Sequence, residues 1–205
     1  MSRMKHAMNH RQARSRGRAI TMVLALALIG ATHSAEARIP PSKDPFYQYT
    51  GSKPLSEIAP GTVLKTRTVP YHILGLALPL KTTQLLYRAT GTLGQPTVNV
   101  TSVVRPPVSL GPQKLVSYQS FYDTLNPEDE PSYAISGGLA LGGLIPNIES
   151  LLLVPLLTQG YSLVIPDFEG QQANYVSGRE SGTNTLDSLR ATFNSPEVGL
   201  PADTK

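Results

Sequence analysis

Residues that could act as a nucleophile or a general base are scarce in this chain of 205 residues. No Gly-x-Ser-x-Gly turn, the usual setting of a serine nucleophile on an α/β sheet, occurs in it. Ser162 follows Gly160 and Tyr161 and would lie at the start of a strand, whereas a nucleophilic serine belongs in the sharp turn at a strand's end. His72 is the one histidine beyond residue 37, and its neighbours are apolar. We interpret His72 as a hydrogen-bonded structural histidine.

Metal and cofactor chemistry is also poorly supported by the sequence. One histidine with scattered carboxylates offers no cluster of metal ligands, and the chain has no cysteine. The acidic run 128–130 is interpreted as a solvated loop, because calcium needs more oxygen ligands at fixed spacing. The Gly-rich segment 137–143 lacks the Lys-Ser or Lys-Thr that completes a phosphate-binding loop. We therefore expect no cofactor and no bound metal.

The charge of the chain is distributed unevenly. A total of 18 Lys and Arg against 14 Asp and Glu gives a net charge of +4, which would suit a nucleic-acid partner. Six of the basic residues, but only one acidic residue, lie in the first 37 positions, so residues 38–205 carry a net charge of −1. Nucleic-acid binding is therefore not expected.

The first 37 residues have the three-part pattern of a secretory signal peptide. A basic segment is followed by the apolar run Ala19–Ala31 and by small residues at Ala35 and Ala37. A membrane anchor is the alternative, but the apolar run is 13 residues long and spanning a bilayer needs about 20. We expect cleavage after Ala37, export from the cell, no stable membrane insertion, and one mature domain over residues 38–205.

Residues 38–205 alternate between short β-type runs and helical periods. After an extended arm over 38–60, the predicted strands are 62–71, 83–90, 97–104, 114–120 and 161–166, and the predicted helices are 147–159 and 175–194. The second and third strands are expected to form an antiparallel hairpin. Pro155 predicts a kink or break in the first helix, and the apolar run 151–157 is interpreted as core. The pattern predicts an α/β sheet with an antiparallel edge.

A series of short motifs follows in order along residues 44–191. They are Asp44-Pro45-Phe46-Tyr47, Pro60-Gly61-Thr62-Val63-Leu64, Gln84-Leu85-Leu86-Tyr87-Arg88-Ala89-Thr90, Val116-Ser117-Tyr118-Gln119-Ser120-Phe121-Tyr122-Asp123, Gln159-Gly160-Tyr161, Asp167-Phe168-Glu169-Gly170 and Leu189-Arg190-Ala191. In order and spacing they resemble the N-terminal half of the secretory lipase family of the yeast lipase A type. The resemblance covers essentially all of residues 38–205 and is more specific than any single motif.

This resemblance implies an α/β-hydrolase fold, with an antiparallel N-terminal hairpin on a mostly parallel sheet. It also implies a Ser, Asp, His triad acting on carboxylic esters such as triacylglycerols. Asp123 would then help to form the oxyanion hole; from the sequence alone it would be a loop or helix-capping residue. A carboxylate is an unfavourable neighbour for an oxyanion, so either the backbone N–H or a protonated side chain of Asp123 must donate. Asp167 and Glu169 are interpreted as structural residues of a turn and a helix start, below the functional edge of the sheet.

The sequence departs from the family in two respects. The family's Gly-Tyr-Ser-Gly-Gly elbow is expected just past Lys205, so the nucleophile, the triad Asp and His, and the lid are absent from this chain, and the family's disulfides cannot form in it. We therefore expect residues 38–205 to be the N-terminal part of a secreted lipase domain that is truncated before the nucleophile and inactive alone. A non-catalytic secreted binding or assembly module is the alternative.

Overall fold

The computed structural model describes residues 38–108, 111–201 and 203–205. The predicted signal peptide and its cleavage site after Ala37 lie outside these residues. The strands are β1 (Val63–Ile73), β2 (Leu76–Thr90), β3 (Pro96–Val104), β4 (Lys114–Ser117) and β5 (Tyr161–Pro166), and the helices are α1 (Pro131–Ile135), α2 (Leu144–Thr158) and α3 (Gly178–Asn194). Short 3-10 turns lie at Pro45–Tyr47, Leu55–Glu57 and Pro127–Asp129.

The five strands form one mixed sheet in the order β1-β2-β3-β5-β4. Strands β1, β2, β3 and β5 pair antiparallel in succession, whereas β4 pairs parallel with β5, from Lys114 opposite Tyr161 to Ser117 opposite Val164. The chain therefore crosses over from β4 to β5 through α1 and α2. The predicted α/β sheet and its hairpin are confirmed. Within the described residues the antiparallel part is the larger one, and the parallel part is the single pair β4 and β5.

Both faces of the sheet are covered, which explains why β2 and β3 contain unbroken runs of buried residues. Val104, Leu163 and Ile165 pack on one face against Ile135 of α1 and against two leucines of α2. The N-terminal arm covers the same face further along, where Tyr47 contacts the β2–β3 pair. On the opposite face, strand residues pack against Ala191 of α3. The predicted extended arm is thus part of the core.

Helix α2 differs from its prediction in two ways. It begins at Leu144 and continues through Pro155 without a break, although this proline cannot donate a backbone hydrogen bond to the Leu151 carbonyl. It ends at Thr158 and is followed by Gly160, whose φ of 88° suits a glycine just past a helix. Leu153 and Leu157 are buried, as predicted, but Leu151 and Leu152 are exposed, so the prediction of a core segment is wrong for the outer face of the helix.

Candidate active-site edge

Asp123 lies in the loop that follows β4, at the edge of the sheet where the two parallel strands end. Because β4 and β5 run parallel, their carboxyl ends Ser117 and Pro166 lie on the same side of the sheet. Asp167 and Glu169 directly follow β5 and therefore belong to this edge as well. The prediction that these two acids lie below the functional edge is wrong, because it overlooked that the strand before them ends there.

Two hydrogen bonds join the Glu169 side chain to the loop that contains Asp123. Its side chain is hydrogen-bonded to the side chain of Asp123, and its Oε2 accepts the Thr124 N–H at 3.2 Å. Glu169 is only 2% exposed, and burial, reinforced by the bond to Asp123, raises the pKa of Glu169 to about 8. Near neutral pH the Glu169 carboxyl therefore keeps its proton and can act as the donor in the hydrogen bond with the Asp123 side chain.

The backbone N–H of Asp123, unlike its side chain, has no hydrogen-bond partner among the described residues. Asp123 is an exposed residue, and its N–H makes no hydrogen bond to any of the described residues. An unpaired backbone donor beside the ends of two strands can bind an anionic oxygen, and such donors stabilise tetrahedral intermediates of acyl transfer.

A second set of buried carboxyls, which includes Asp167, lies at and next to this edge. Asp167 accepts both the N–H (2.8 Å) and the hydroxyl (2.5 Å) of Ser132, and burial raises the pKa of Asp167 to about 7. Glu130 accepts the Tyr122 hydroxyl, and burial together with the charge of Asp167 raises its pKa. The prediction that 128–130 is a solvated loop is wrong for Asp129 and Glu130, which are buried because this turn packs beneath the start of α1.

A cleft of about 210 Å³ lies between the N-terminal arm and these carboxyls. It is lined by Pro41, Ser42, Tyr47, Gln48, Pro127, Glu130, Asp167, Gln171 and Gln172. Asp123 is not among the lining residues, so the cleft is separate from the unpaired N–H.

The other candidate residues are structural. His72 is buried on β1, where its Nδ1 lies 2.8 Å from the Pro70 carbonyl oxygen and 3.1 Å from that of Ile135, and burial lowers its pKa. The prediction of a hydrogen-bonded structural histidine is confirmed. Ser162 is fully buried within β5. Over the described ranges, no three His, Cys, Asp or Glu residues are grouped so that they could hold a metal ion, and no helix there is long and apolar enough to cross a membrane.

The outer edge of β4 carries one further backbone pairing. The Leu115 N–H donates to the Lys205 carbonyl at 2.7 Å, and the Lys205 N–H donates to the Gln113 carbonyl at 3.2 Å. Two bonds from one residue to positions on either side of Lys114 are the pattern of a parallel ladder. Lys205 therefore lies beside β4 and points in the same direction as that strand.

Sequence reasoning missed two carboxylates that shape this edge. The sequence places Glu169 within a motif but indicates no contact with Asp123. Glu149 of α2 accepts the Phe121 N–H at 2.8 Å and also the Ser120 hydroxyl, and so fixes the start of the same loop. Both contacts join residues far apart in the chain, and no local pattern indicates them.

Comparison with known proteins identifies the family. Residues 137–205 match the model of the family described as secretory lipase. Lipase 4 of Candida albicans is 38% identical over 169 residues, which are 80% of this chain and 36% of that protein. A Mycobacterium tuberculosis protein named "Probable inactive lipase MT1628" is 37% identical over 168 residues, 80% of this chain and 37% of that protein.

The fold agrees with these relatives. The X-ray structure of Candida antarctica lipase A superposes with a TM-score of 0.71 at 33% identity, over 82% of this chain and 38% of that one. The chain thus spans between one third and two fifths of the length of the relatives it matches. The predicted α/β-hydrolase fold is confirmed by this match. With the sequence and the fold both in agreement, the chain belongs to the secretory lipase family.

Proposed function

We propose that this protein is a secreted lipase or carboxylesterase that hydrolyses acylglycerols or other lipid esters. Its Ser, Asp, His triad is supplied by residues beyond Lys205, residues 1–37 direct its export and are removed, and residues 38–205 form the N-terminal part of the catalytic domain. The observation that carries this proposal is the unpaired Asp123 N–H at the carboxyl edge of β4, in a chain of the secretory lipase family.

Asp123 acts through its backbone in this proposal. The N–H donates to the oxyanion of the tetrahedral intermediate, together with the N–H that follows the nucleophile. The Asp123 side chain has a different partner, because it is hydrogen-bonded to Glu169. Glu169 also accepts the Thr124 N–H and so restrains the peptide that follows Asp123. Glu169 is thus a positioning residue.

The pairing of Lys205 with β4 supports a nucleophile beyond it. A strand continuing in the direction of Lys205 would run parallel to β4 along its outer edge. Its carboxyl end would then arrive at the edge that carries Asp123. A serine in the turn after such a strand would be placed beside the Asp123 N–H, as acyl transfer requires.

The 205-residue chain alone is expected to have no esterase activity. His72 is the only histidine of the described residues, and its Nδ1 is occupied by two backbone carbonyls. We expect the purified chain to release no more nitrophenol from p-nitrophenyl butyrate than its Asp123→Ala variant or buffer. Turnover by the chain that a substitution within it abolishes would contradict the proposal.

The reading frame downstream separates the lipase from its alternative. A frame that continues into a strand with Gly-Tyr-Ser-Gly-Gly, followed later by Asp and His, supports the lipase. A frame that lacks these elements refutes it and favours the non-catalytic secreted module.

A further inference from the structure

The cleft beside the N-terminal arm has an excess of acidic groups. Glu130 and Asp167 line it, and each is only 2% exposed. Among the described residues that form its wall there is no Lys, Arg or His. The charges that act on Glu130 come from three other carboxyl groups, those of Asp167, Glu169 and Asp129. Buried charges are normally paired with a group of opposite sign, so this cleft lacks a balancing cation.

Arg67 does not balance these acids. It is a cation that acts on Asp167, but its guanidinium is paired with Asp44, and its Nε donates to Gln84 at 2.7 Å. The same guanidinium lies over the Phe46 ring, 4.1 Å from the ring centre. The pKa of Asp167 is raised to about 7 in spite of this arginine. The burial of the Asp167 carboxyl therefore outweighs the positive charge that Arg67 supplies.

The Glu130 carboxyl also has an unused hydrogen-bond acceptor. Its Oε2 accepts the Tyr122 hydroxyl, whereas its Oε1 is buried and has no partner among the described residues. Both oxygens of Asp167, in contrast, accept bonds from Ser132. A buried acceptor without a donor is unfavourable, and native proteins contain few of them. A ligand with an N–H donor and a positive charge would satisfy Glu130 Oε1 and balance the acids together.

The rest of the wall suits a small organic cation better than a metal ion. Pro41 and Pro127 contribute apolar surface, and Gln48 and Gln172 contribute amide groups. Calcium takes 6–8 oxygen ligands, which two carboxyl groups do not provide, and the described residues hold no group of three potential metal ligands. The cleft volume of about 210 Å³ also leaves room for a short carbon chain.

We propose that this cleft binds a primary alkylammonium ion with a chain of a few carbon atoms. The ammonium group lies beside Glu130 and Asp167 and donates to Glu130 Oε1, and the carbon chain lies against Pro41 and Pro127. The bound ion replaces protons that the two acids retain near neutral pH, and these protons pass to the solvent. The site does not depend on the proposed ester hydrolysis, because Asp123 does not line the cleft.

Binding at this site should also fasten the N-terminal arm, which forms one wall of the cleft. The arm is already held there by two bonds: Ser42 Oγ donates to Glu128 Oε1 at 2.5 Å, and Gln171 Nε2 donates to the Tyr47 carbonyl at 2.7 Å. A ligand that contacts both walls adds to these bonds. Propylammonium should therefore slow the proteolysis of residues 38–60.

The test titrates the full chain with propylammonium chloride in phosphate buffer. Nitrogen-15 NMR follows the side-chain amide signals of Gln48, Gln171 and Gln172, which line the cleft. We expect these three signals to shift and to saturate. Tetramethylammonium chloride and sodium chloride at the same ionic strength are the controls, because neither cation carries an N–H donor. Equal shifts with tetramethylammonium, or no saturable shift with propylammonium, would overturn the inference.

Two charge-neutralising variants locate the site. Glu130→Gln removes the charge but keeps the shape of the side chain, and the affinity should fall about tenfold or more, because a hydrogen bond to a charged group is lost. Glu57→Gln is the matched control, since it removes an equal charge from an exposed turn of the arm outside the cleft. It should bind propylammonium as the unmodified protein does. An equal loss in both variants would contradict the assignment.

Gln172 allows a test that disturbs no buried residue. It is exposed and lines the cleft, so Gln172→Lys places a tethered ammonium group at the wall, whereas Gln172→Met changes the side chain without adding charge. We expect the affinity for propylammonium to fall about tenfold with Lys, through competition and repulsion, and to stay unchanged with Met. Equal affinities of the two variants would show that the cleft does not select a cation.

The affinity should rise between pH 6 and pH 8. Burial raises the pKa of both Glu130 and Asp167, so both hold protons at the lower pH that the ligand must replace. The charged groups that act on the pair are Asp129 and Glu169 beside Glu130, and Arg67 beside Asp167. An alkylammonium ion stays charged over this range, as lysine does with a pKa of about 10.4. An affinity that is constant or falls would contradict the inference, and no step measures ester hydrolysis, so failure of the proposed function would be seen separately.

Discussion

The two flanks of β5 differ in how completely the protein covers them. On the β3 side, the paired segment Thr101–Val104 is buried throughout, with helices or the arm over both faces. On the other side, β4 has four residues, none of them buried, and among the residues that the structure describes only Lys205 pairs with its outer edge. The same sheet therefore has a densely packed antiparallel flank and a thinly covered parallel flank.

The two flanks also differ in the contacts that hold them together. The antiparallel flank supplies the large buried side chains, among them Leu85, Leu86 and Tyr87. The β4 flank leads into the Asp123 loop, which is held by the buried Glu149 and Glu169 side chains. Only partly buried residues of this flank, such as Leu115 and Val116, pack against the clusters that the other strands form.

The largest expected effect is the difference in the free energy of unfolding when one leucine on each flank is truncated. Leu85→Ala on β2 removes a fully buried side chain and should lower the free energy of unfolding by about 2–5 kcal/mol. Leu115→Ala on β4 removes a half-buried side chain and should cost less than about 1.5 kcal/mol. Urea unfolding followed by circular dichroism measures both, and equal losses would contradict the difference between the flanks.

Stability should also depend on pH through the buried carboxyls of the β4 flank. The pKa of Asp167 is raised to about 7 and that of Glu169 to about 8, whereas in the unfolded chain both lie near 4. Because folding favours their protonated forms, this contribution is complete below about pH 4 and is lost as the pH rises towards 8. The melting temperature should be several degrees higher at pH 5 than at pH 8, since each kcal/mol shifts it by about 2–4 °C.

Asp167→Asn is the control for this pH dependence. The side-chain oxygen of Asn can still accept a bond from Ser132, but it does not titrate, so the melting temperature should vary less with pH than in the unmodified protein. An unchanged pH profile would show that Asp167 is not one of the groups responsible.

A smaller effect is expected where the N-terminal arm meets the antiparallel flank. Asp44 accepts the Phe46 N–H at 2.9 Å and pairs with Arg67, whose guanidinium lies 4.1 Å from the centre of the Phe46 ring. Asp44→Ala removes both a cap and an ion pair and should cost about 1 kcal/mol. Limited proteolysis should then cut more rapidly within residues 38–60.

The smallest effect is expected from the Asp187–Arg190 pair on α3. The Arg190 side chain is 55% exposed, and exposed ion pairs contribute little. Arg190→Ala should lower the free energy of unfolding by no more than about 0.5 kcal/mol in urea, and cleavage of the arm should not change. A loss as large as that of Asp44→Ala would show that the arm contacts have no special role.

The strands were predictable where local composition determined them. Runs of β-branched residues bounded by Gly and Pro indicated β3 and β5 closely. The sequence did not indicate that β2 begins at Leu76, because the turn before it holds Leu74 and Gly75 at φ of 49° and 78°, and leucine is not expected there. Helix α1 is too short for a periodic pattern to reveal.

The site was predictable only in part. Asp123 followed from the resemblance, and its place after β4 agrees with that prediction. The burial of Glu130 and the bond between Glu169 and Asp123 were not predictable, because contacts between distant segments override the tendency of acidic residues to be solvated. The sequence also did not predict that one face of α2 is exposed, since an apolar run does not show which of its sides is covered.

The most direct test of the Asp123 N–H compares Asp123→Pro with Asp123→Ala in an active chain. Residues 38–205 are joined to the C-terminal portion of Candida antarctica lipase A that lies outside the match, and the hydrolysis of p-nitrophenyl butyrate is measured for variants with unchanged circular dichroism. Proline removes the N–H and should lower kcat about 10²–10³-fold, whereas alanine keeps it and should stay within about tenfold of the parent. Equal kcat values for the proline variant and the parent, or an equal loss with alanine, would contradict the account.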